Sequence, residues 1–155
     1  MLINKTLNFL YKTFDYRFYK KKYNVDIKFN GYGIRFVGNG CFVCHENSYI
    51  SYNSFVNLAE NTTLKIGKNV SISNFVRIYT SGFNTEVLIR NGHKEAKDGD
   101  VTIGSNVLIG SGCFICPNVT IGDNVVIGAN SVVVCDLPSN TVCAGSPAKV
   151  IKYYD

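Results

Sequence analysis

The 155-residue chain has no tryptophan, three prolines, one methionine and two histidines, and only 17% of its residues are charged. No apolar run approaches the roughly 20 residues that a helix needs to cross a bilayer. The N-terminus shows neither the apolar block nor the small-residue cleavage site of a secretory leader. These absences lead us to expect a soluble, cytoplasmic protein. Hydrophobic residues make up 46% of the chain, which excludes disorder, and the length suits one domain.

Basic charge is confined to one end. Residues 1–28 hold seven basic residues against Asp15 and Asp26, whereas residues 29–155 hold nine basic and nine acidic residues. The main body lacks the basic excess that tracks phosphates, so nucleic acid is not an expected partner. Six cysteines include Cys41-x-x-Cys44 and Cys113-x-x-Cys116, but the 68 residues between these pairs far exceed zinc-ribbon spacing. We therefore expect reduced thiols packed as small hydrophobes, and no metal.

A period of six dominates the rest. From Ile66 the chain reads IGKNVS and ISNFVR; from Ile103 it reads IGSNVL, IGSGCF, ICPNVT, IGDNVV and IGANSV. Position one is Ile66, Ile72, Ile78, Ile103, Ile109, Ile115, Ile121, Ile127 and Val133. A branched aliphatic there suits a short strand whose side chain faces inward. Position five (Val70, Val76, Val107, Cys113, Val119, Val125, Ser131) is a second, smaller inward site. Positions two to four favour Gly, Ser, Asn and Asp, which tolerate sharp corners. Strand, corner and strand again build a coil stacked on its own repeats, which needs closing caps.

Upstream the register loosens, with Cys44, Ile50 and Val56 still six apart, and the first coils are expected from about residue 27. Residues 1–22 place Ile3, Leu7, Leu10, Phe14 and Phe18 on one helical stripe. Two readings stay open: a helix capping the coil, or a basic amphipathic helix resting on a membrane.

The run from Thr63 to Ile151 resembles the hexapeptide-repeat acyltransferases, in particular galactoside and maltose O-acetyltransferases and their polysaccharide-modifying relatives. VTIGSNVLIG…VTIGDNVVIGANSVV, the interruption at 79–100 and the closing DLPSNTVCAGSPAKVIK carry the likeness. It implies an all-β fold, a left-handed parallel β-helix over residues 27–155 with an N-terminal helical cap over 1–26. General crossover rules alone favour the opposite hand. It further implies a homotrimer with inter-subunit clefts, acetyl-CoA as co-substrate and a sugar acceptor; the basic, aromatic N-terminal helix would suit a lipid-linked acceptor at the inner membrane face.

The resemblance also assigns roles. Ser111 would supply the oxyanion N–H, Ala129 would meet the pantetheine arm, and Lys149 would lie near the CoA phosphates. Val134-Cys135 replaces the usual Thr-Lys before Asp136, implying altered nucleotide contacts. Asn53 matches an asparagine that orients the acceptor or base, and Asn61 replaces a substrate-binding aspartate. The family's base histidine aligns with Phe83, which cannot take a proton. His93 or Glu86 on the same excursion, with His45 more remote, are the alternative bases; an amino-sugar acceptor would need less help. A third reading is a catalytically impaired homologue serving as a binding or scaffold protein.

Overall fold

The computed structural model describes Thr6 and residues 16–155. Helix α1 (Tyr16–Tyr23) leads into five coils of short strands. The first coil holds β1 (Lys28–Asn30), β2 (Arg35–Gly38) and β3 (Cys41–Cys44). The second holds β4 (Tyr49–Ser51), β5 (Phe55–Leu58) and β6 (Thr63–Ile66). The third holds β7 (Ser71–Ile72), β8 (Arg77–Tyr79), an excursion bearing helix α2 (Thr85–Asn91), and β9 (Val101–Ile103). Next come β10 (Leu108–Ile109), β11 (Phe114–Ile115) and β12 (Val119–Ile121), then β13 (Val125–Ile127) and β14 (Val132–Val133). An antiparallel hairpin, β15 (Thr141–Gly145) and β16 (Ala148–Tyr153), ends the stack.

Every strand but β16 pairs in parallel with its equivalent one coil away, producing three sheets around a prism. The first sheet runs β1-β4-β7-β10-β13-β15-β16, the second β2-β5-β8-β11-β14, and the third β3-β6-β9-β12. We call these faces A, B and C.

The six-residue period maps onto this geometry directly. All nine position-one residues are at most 1% exposed, as are all seven at position five. Burying each aliphatic contributes roughly 1.5–3 kcal/mol. Where serine takes an inward place it is satisfied: Ser131 Oγ donates to Gly128 O at 2.6 Å and accepts from Gly145 N at 3.1 Å. Position four adopts the left-handed conformation at Asn69, Asn106, Asn118, Asn124 and Asn130. On the edge between faces C and A these amides form a ladder, Asn69 Nδ2 to Asn106 Oδ1, Asn106 Nδ2 to Asn124 Oδ1 and Asn124 Nδ2 to Asn140 Oδ1, at 2.8–3.0 Å.

Helix α1 closes the first coil through tyrosines. Tyr16 stacks on Phe29 with ring centroids 4.4 Å apart, Tyr19 meets Phe36 at 5.2 Å, and Tyr23 meets Phe36 and Phe42. Tyr16 and Tyr23 also donate hydroxyl hydrogens to the Gly31 and Gly38 carbonyls. This corrects the expected stripe: Phe18 is 60% exposed, because the contacting face runs through 16, 19 and 23 instead. Ile3, Leu7, Leu10 and Phe14 lie outside the described residues.

The cysteines also depart from expectation. Cys113 and Cys143 are buried, Cys44 and Cys116 partly so, but Cys41 and Cys135 are exposed because they occupy an outward strand position and a corner. All six are free thiols. Among the described residues no group of three or more His, Cys, Asp or Glu side chains is placed to hold a metal.

Candidate functional site on two edges of the prism

The edge between faces A and B carries a corner from every coil. Successive corners are tied by Asn53 N to Tyr32 O, Phe75 N to Tyr52 O, Gly112 N to Asn74 O and Asn130 N to Ser111 O, all at 2.8–2.9 Å. Ser111 and Ala129 are therefore neighbours on consecutive rungs. Gly110 lies so close beneath Ala129 that a side chain there would strike its backbone. Small residues at 110 and 129 leave this edge smooth enough for a ligand to lie along it.

Hydrogen-bond accounting leaves a row of unused donors along this edge, Ser111 among them. The amides flanking Ser111 are used, Gly110 N to Ile127 O and Gly112 N to Asn74 O, but among the described residues its own N–H has no acceptor. The Ala129 N–H is likewise unused. An outward main-chain donor is the group that stabilises a developing oxyanion. Beside this edge, Leu108 and Val126 stand adjacent on the outer side of face A, 45% and 41% exposed. They offer an apolar wall that the six-residue pattern did not reveal, since position six alternates with the inward sites. Lys149 is exposed on β16 opposite Ala144, and Ala144 packs over Gly128, so Ser111, Ala129 and Lys149 follow one another towards the C-terminal end.

Asn53 shares the edge but stands two rungs from Gly112, with its amide oxygen laid over Gly33. The other candidates occupy the edge between faces B and C. Asn61 forms a left-handed corner there. One coil on, the excursion leaves, anchored by Thr62 Oγ1 donating to Thr80 Oγ1 at 2.6 Å and by Gly99 N donating to Thr80 O. Asn57, the third residue of β5, lies beside this root, pairs with Tyr79 and accepts from Thr80 N through its carbonyl. It faces outward and is half-buried, a polar group that six-residue spacing had no means of selecting.

The excursion is an ordered arm. Phe83 and Ala96 form an antiparallel bridge, with Asn84 N donating to Glu95 O and Lys97 N to Gly82 O. Asn84 caps α2 by accepting from Val87 N, and Gly92 ends it in the left-handed conformation. No residue of α2 is buried, and Ile89 is 83% exposed. Phe83 is 61% exposed, with the Lys94 ammonium 5.6 Å from its ring. Glu86 pairs with Arg90 at 3.0 Å, and His93 is exposed just past the helix. His45 lies on the third edge, beside a groove of about 360 Å³ that also involves Lys65, Lys68 and Asp123.

Within one chain, then, Asn53, Ser111, Ala129 and Lys149 share one edge, while Asn61, Phe83, Glu86 and His93 share another. Face B separates the two sets.

Comparison with known proteins bears on this arrangement. The bacterial transferase hexapeptide model (six repeats) matches residues 100–135. Galactoside O-acetyltransferase of Escherichia coli is 40% identical over 111 residues, covering 68% of this chain and 51% of that protein. WbbJ of Escherichia coli, assigned by name to lipopolysaccharide O-acetyl transfer, is 32% identical over 134 residues, covering 81% of this chain and 68% of that one. A solved galactoside acetyltransferase in complex with coenzyme A superposes with a TM-score of 0.66 at 29% identity, over 98% of this chain and 79% of the other. The chain spans about half the length of galactoside O-acetyltransferase. With its parallel three-sided coil and its likeness to these proteins, the chain belongs to the hexapeptide-repeat acyltransferases of the left-handed β-helix fold.

Proposed function

We propose that the protein transfers an acetyl group from acetyl-CoA to a hydroxyl or amino group of a sugar, in surface polysaccharide synthesis. The carrying observation is the unpaired Ser111 N–H on an edge that continues to Ala129 and Lys149. In this reading the thioester carbonyl meets Ser111, the pantetheine arm follows Ala129 along Leu108 and Val126, and Lys149 attracts the nucleotide phosphates. The CoA complex of the galactoside relative supports the same co-substrate. Of the expected cap over residues 1–26, the described part, α1, covers the first coil of a β-helix domain over 27–155, and residues 7–15 lie outside the described residues.

A homotrimer completes the site. Asn61 and the arm stand across face B from Ser111, so cyclic packing about that face sets the arm of one copy against the Ser111 edge of the next. The outer side of face B supports this: Phe55, Tyr79 and Phe114 form a continuous ring column with centroids 5.6 and 5.0 Å apart. The unburied α2 supports it too, since Leu88 and Ile89 find no cover in their own chain.

The test is direct. Acetyl-CoA should bind by calorimetry, and thiol release should accompany acetylation of a galactoside, maltose or an amino sugar. The second reading, a scaffold or binding homologue, draws support from Phe83 where relatives are expected to hold their base. Failure to bind acetyl-CoA would overturn the transferase proposal and leave that reading.

Membrane association of residues 1–22 finds less support in α1. Lys20 pairs with Asp26 at 2.6 Å and Lys22 donates to Gly38 O at 2.8 Å, which spends two of its three consecutive lysines within the fold. Among the described residues no helix is long and apolar enough to cross a membrane. Cytoplasmic action, at the inner membrane face where the acceptor is lipid-linked, remains part of the proposal. Liposome binding lost on charge reversal of Lys20, Lys21 and Lys22 would support it; no binding by the intact chain would end it.

A further inference from the structure

The Ser111 edge continues towards the N-terminal end as a strip of rings. Tyr32 and Tyr52 occupy the equivalent corner position in the first two coils, with centroids 5.2 Å apart and planes at 89°. Phe75 follows in the third coil, directly beneath the Gly112 corner. Tyr32 and Tyr52 are each 37% exposed and Phe75 is 54% exposed.

Two features make this strip unlike incidental surface. Phe75 has φ of +59°, at a corner where the other coils place Gly33, Asn53, Gly112 and Asn130. A bulky side chain in that conformation costs on the order of 1–3 kcal/mol. Among the described residues the Phe75 ring contacts no other ring or cation, and more than half of it is exposed. Second, the corner N–H groups of Tyr32, Tyr52 and Asn74 have no acceptor among the described residues, as at Ser111. The edge thus alternates apolar rings with outward donors, at rungs about 4.8 Å apart.

We propose that this strip holds a saccharide chain of several residues, laid along the edge so that its reacting sugar reaches Ser111. A pyranose presents a flat patch of C–H groups on one face and hydroxyls at its rim. The C–H patch stacks on the electron-rich face of an aromatic ring, and the hydroxyls accept from unpaired N–H groups. One rung is comparable in length to one sugar residue, so three successive rings favour a polymer over a free monosaccharide. The inference rests on the sugar-acetylation reading and narrows its acceptor to an oligo- or polysaccharide.

The experiment uses the full chain on an array carrying dimers and hexamers of glucose, galactose, N-acetylglucosamine and N-acetylneuraminic acid. At least one hexamer series should be retained about tenfold more strongly than its dimer. Phe75→Asn, which restores the residue type of the neighbouring corners, and Tyr52→Ala should each abolish that difference while acetyl-CoA binding by calorimetry is unchanged. Absence of length dependence in every series, or its persistence in both variants, would overturn the proposal. Dissociation of the assembly by either variant, seen by light scattering, would also overturn it, because the strip would then be covered by a second copy. Loss of acetyl-CoA binding by the unmodified protein is a separate result that removes the transferase reading itself.

Discussion

Ser111 acts in this scheme through its main chain, which gives it an uncommon mutational signature. Ser111→Ala keeps the N–H and should leave turnover within a fewfold of the parent. Ser111→Pro removes it and should lower kcat by about 10²–10³, the usual cost of losing one oxyanion donor. Circular dichroism would check that the coil survives. The amide ladder makes a stability prediction of the same kind. Asn106 both donates and accepts along its edge and holds a left-handed corner, so Asn106→Ala should destabilise by about 1–3 kcal/mol in urea unfolding. Thiols offer a third. Burial, reinforced by the Asp26 carboxylate, pushes the Cys44 thiol up to about 11. The folded state therefore favours the neutral thiol, and its stabilising contribution is fully present below the unfolded value near 9. It is lost as pH rises from about 9 to 11, so Tm should fall across that window, and less so in Cys44→Ser. Position-one aliphatics and left-handed asparagines were legible from residue type alone. The Ser111 N–H was not, because whether an amide is free depends on where every neighbouring carbonyl goes.

In the proposed scheme the arm is the element that carries the acceptor side of the site. Its stem and capped helix are built from local signals, Asn84 before the helix and Gly92 after it, yet in the sequence this stretch stands out only as an interruption of the six-residue period. Seven helical residues with no buried face leave no clear apolar stripe to read. The missing base is an arm-level question. If His93 or Glu86 fills it, His93→Gln or Glu86→Gln should cut turnover at least a hundredfold. The Glu86–Arg90 ion pair disfavours Glu86, so the larger loss is expected from His93→Gln. Equal rates in both variants would instead point to an acceptor that needs no strong base, and activity on an amino sugar but not its hydroxy counterpart would identify one. Helix α1 shows the converse error. Of the expected stripe only Phe18 lies among the described residues; it stands on a helix but points outward, because three tyrosines, polar at one end, supply the contact it was expected to make.

For the whole molecule, the decisive expectation is assembly. The candidate groups lie on two edges of one prism, and only another copy can bring them together. Light scattering should report a trimer. Replacing Phe114 with Asp on the outer side of face B should yield monomers that keep their β-helix but lose acetyl transfer, since the buried charge would have no partner. A monomeric but fully active parent protein would refute the shared site.

The amino-acid sequence by itself determined the inward columns. A branched aliphatic every six residues can be buried only if each stretch of six turns one side of a prism, so that interior is written locally and repeatedly. The tertiary structure decided the outward columns. Tyr32, Tyr52, Phe75, Ser111 and Ala129 are far apart in the chain and differ in type. They become neighbours only once strand pairing sets the length of each coil, including the third, which holds the arm. Outer side chains carry no packing constraint to give them a period, so their meeting on one edge is a property of the register.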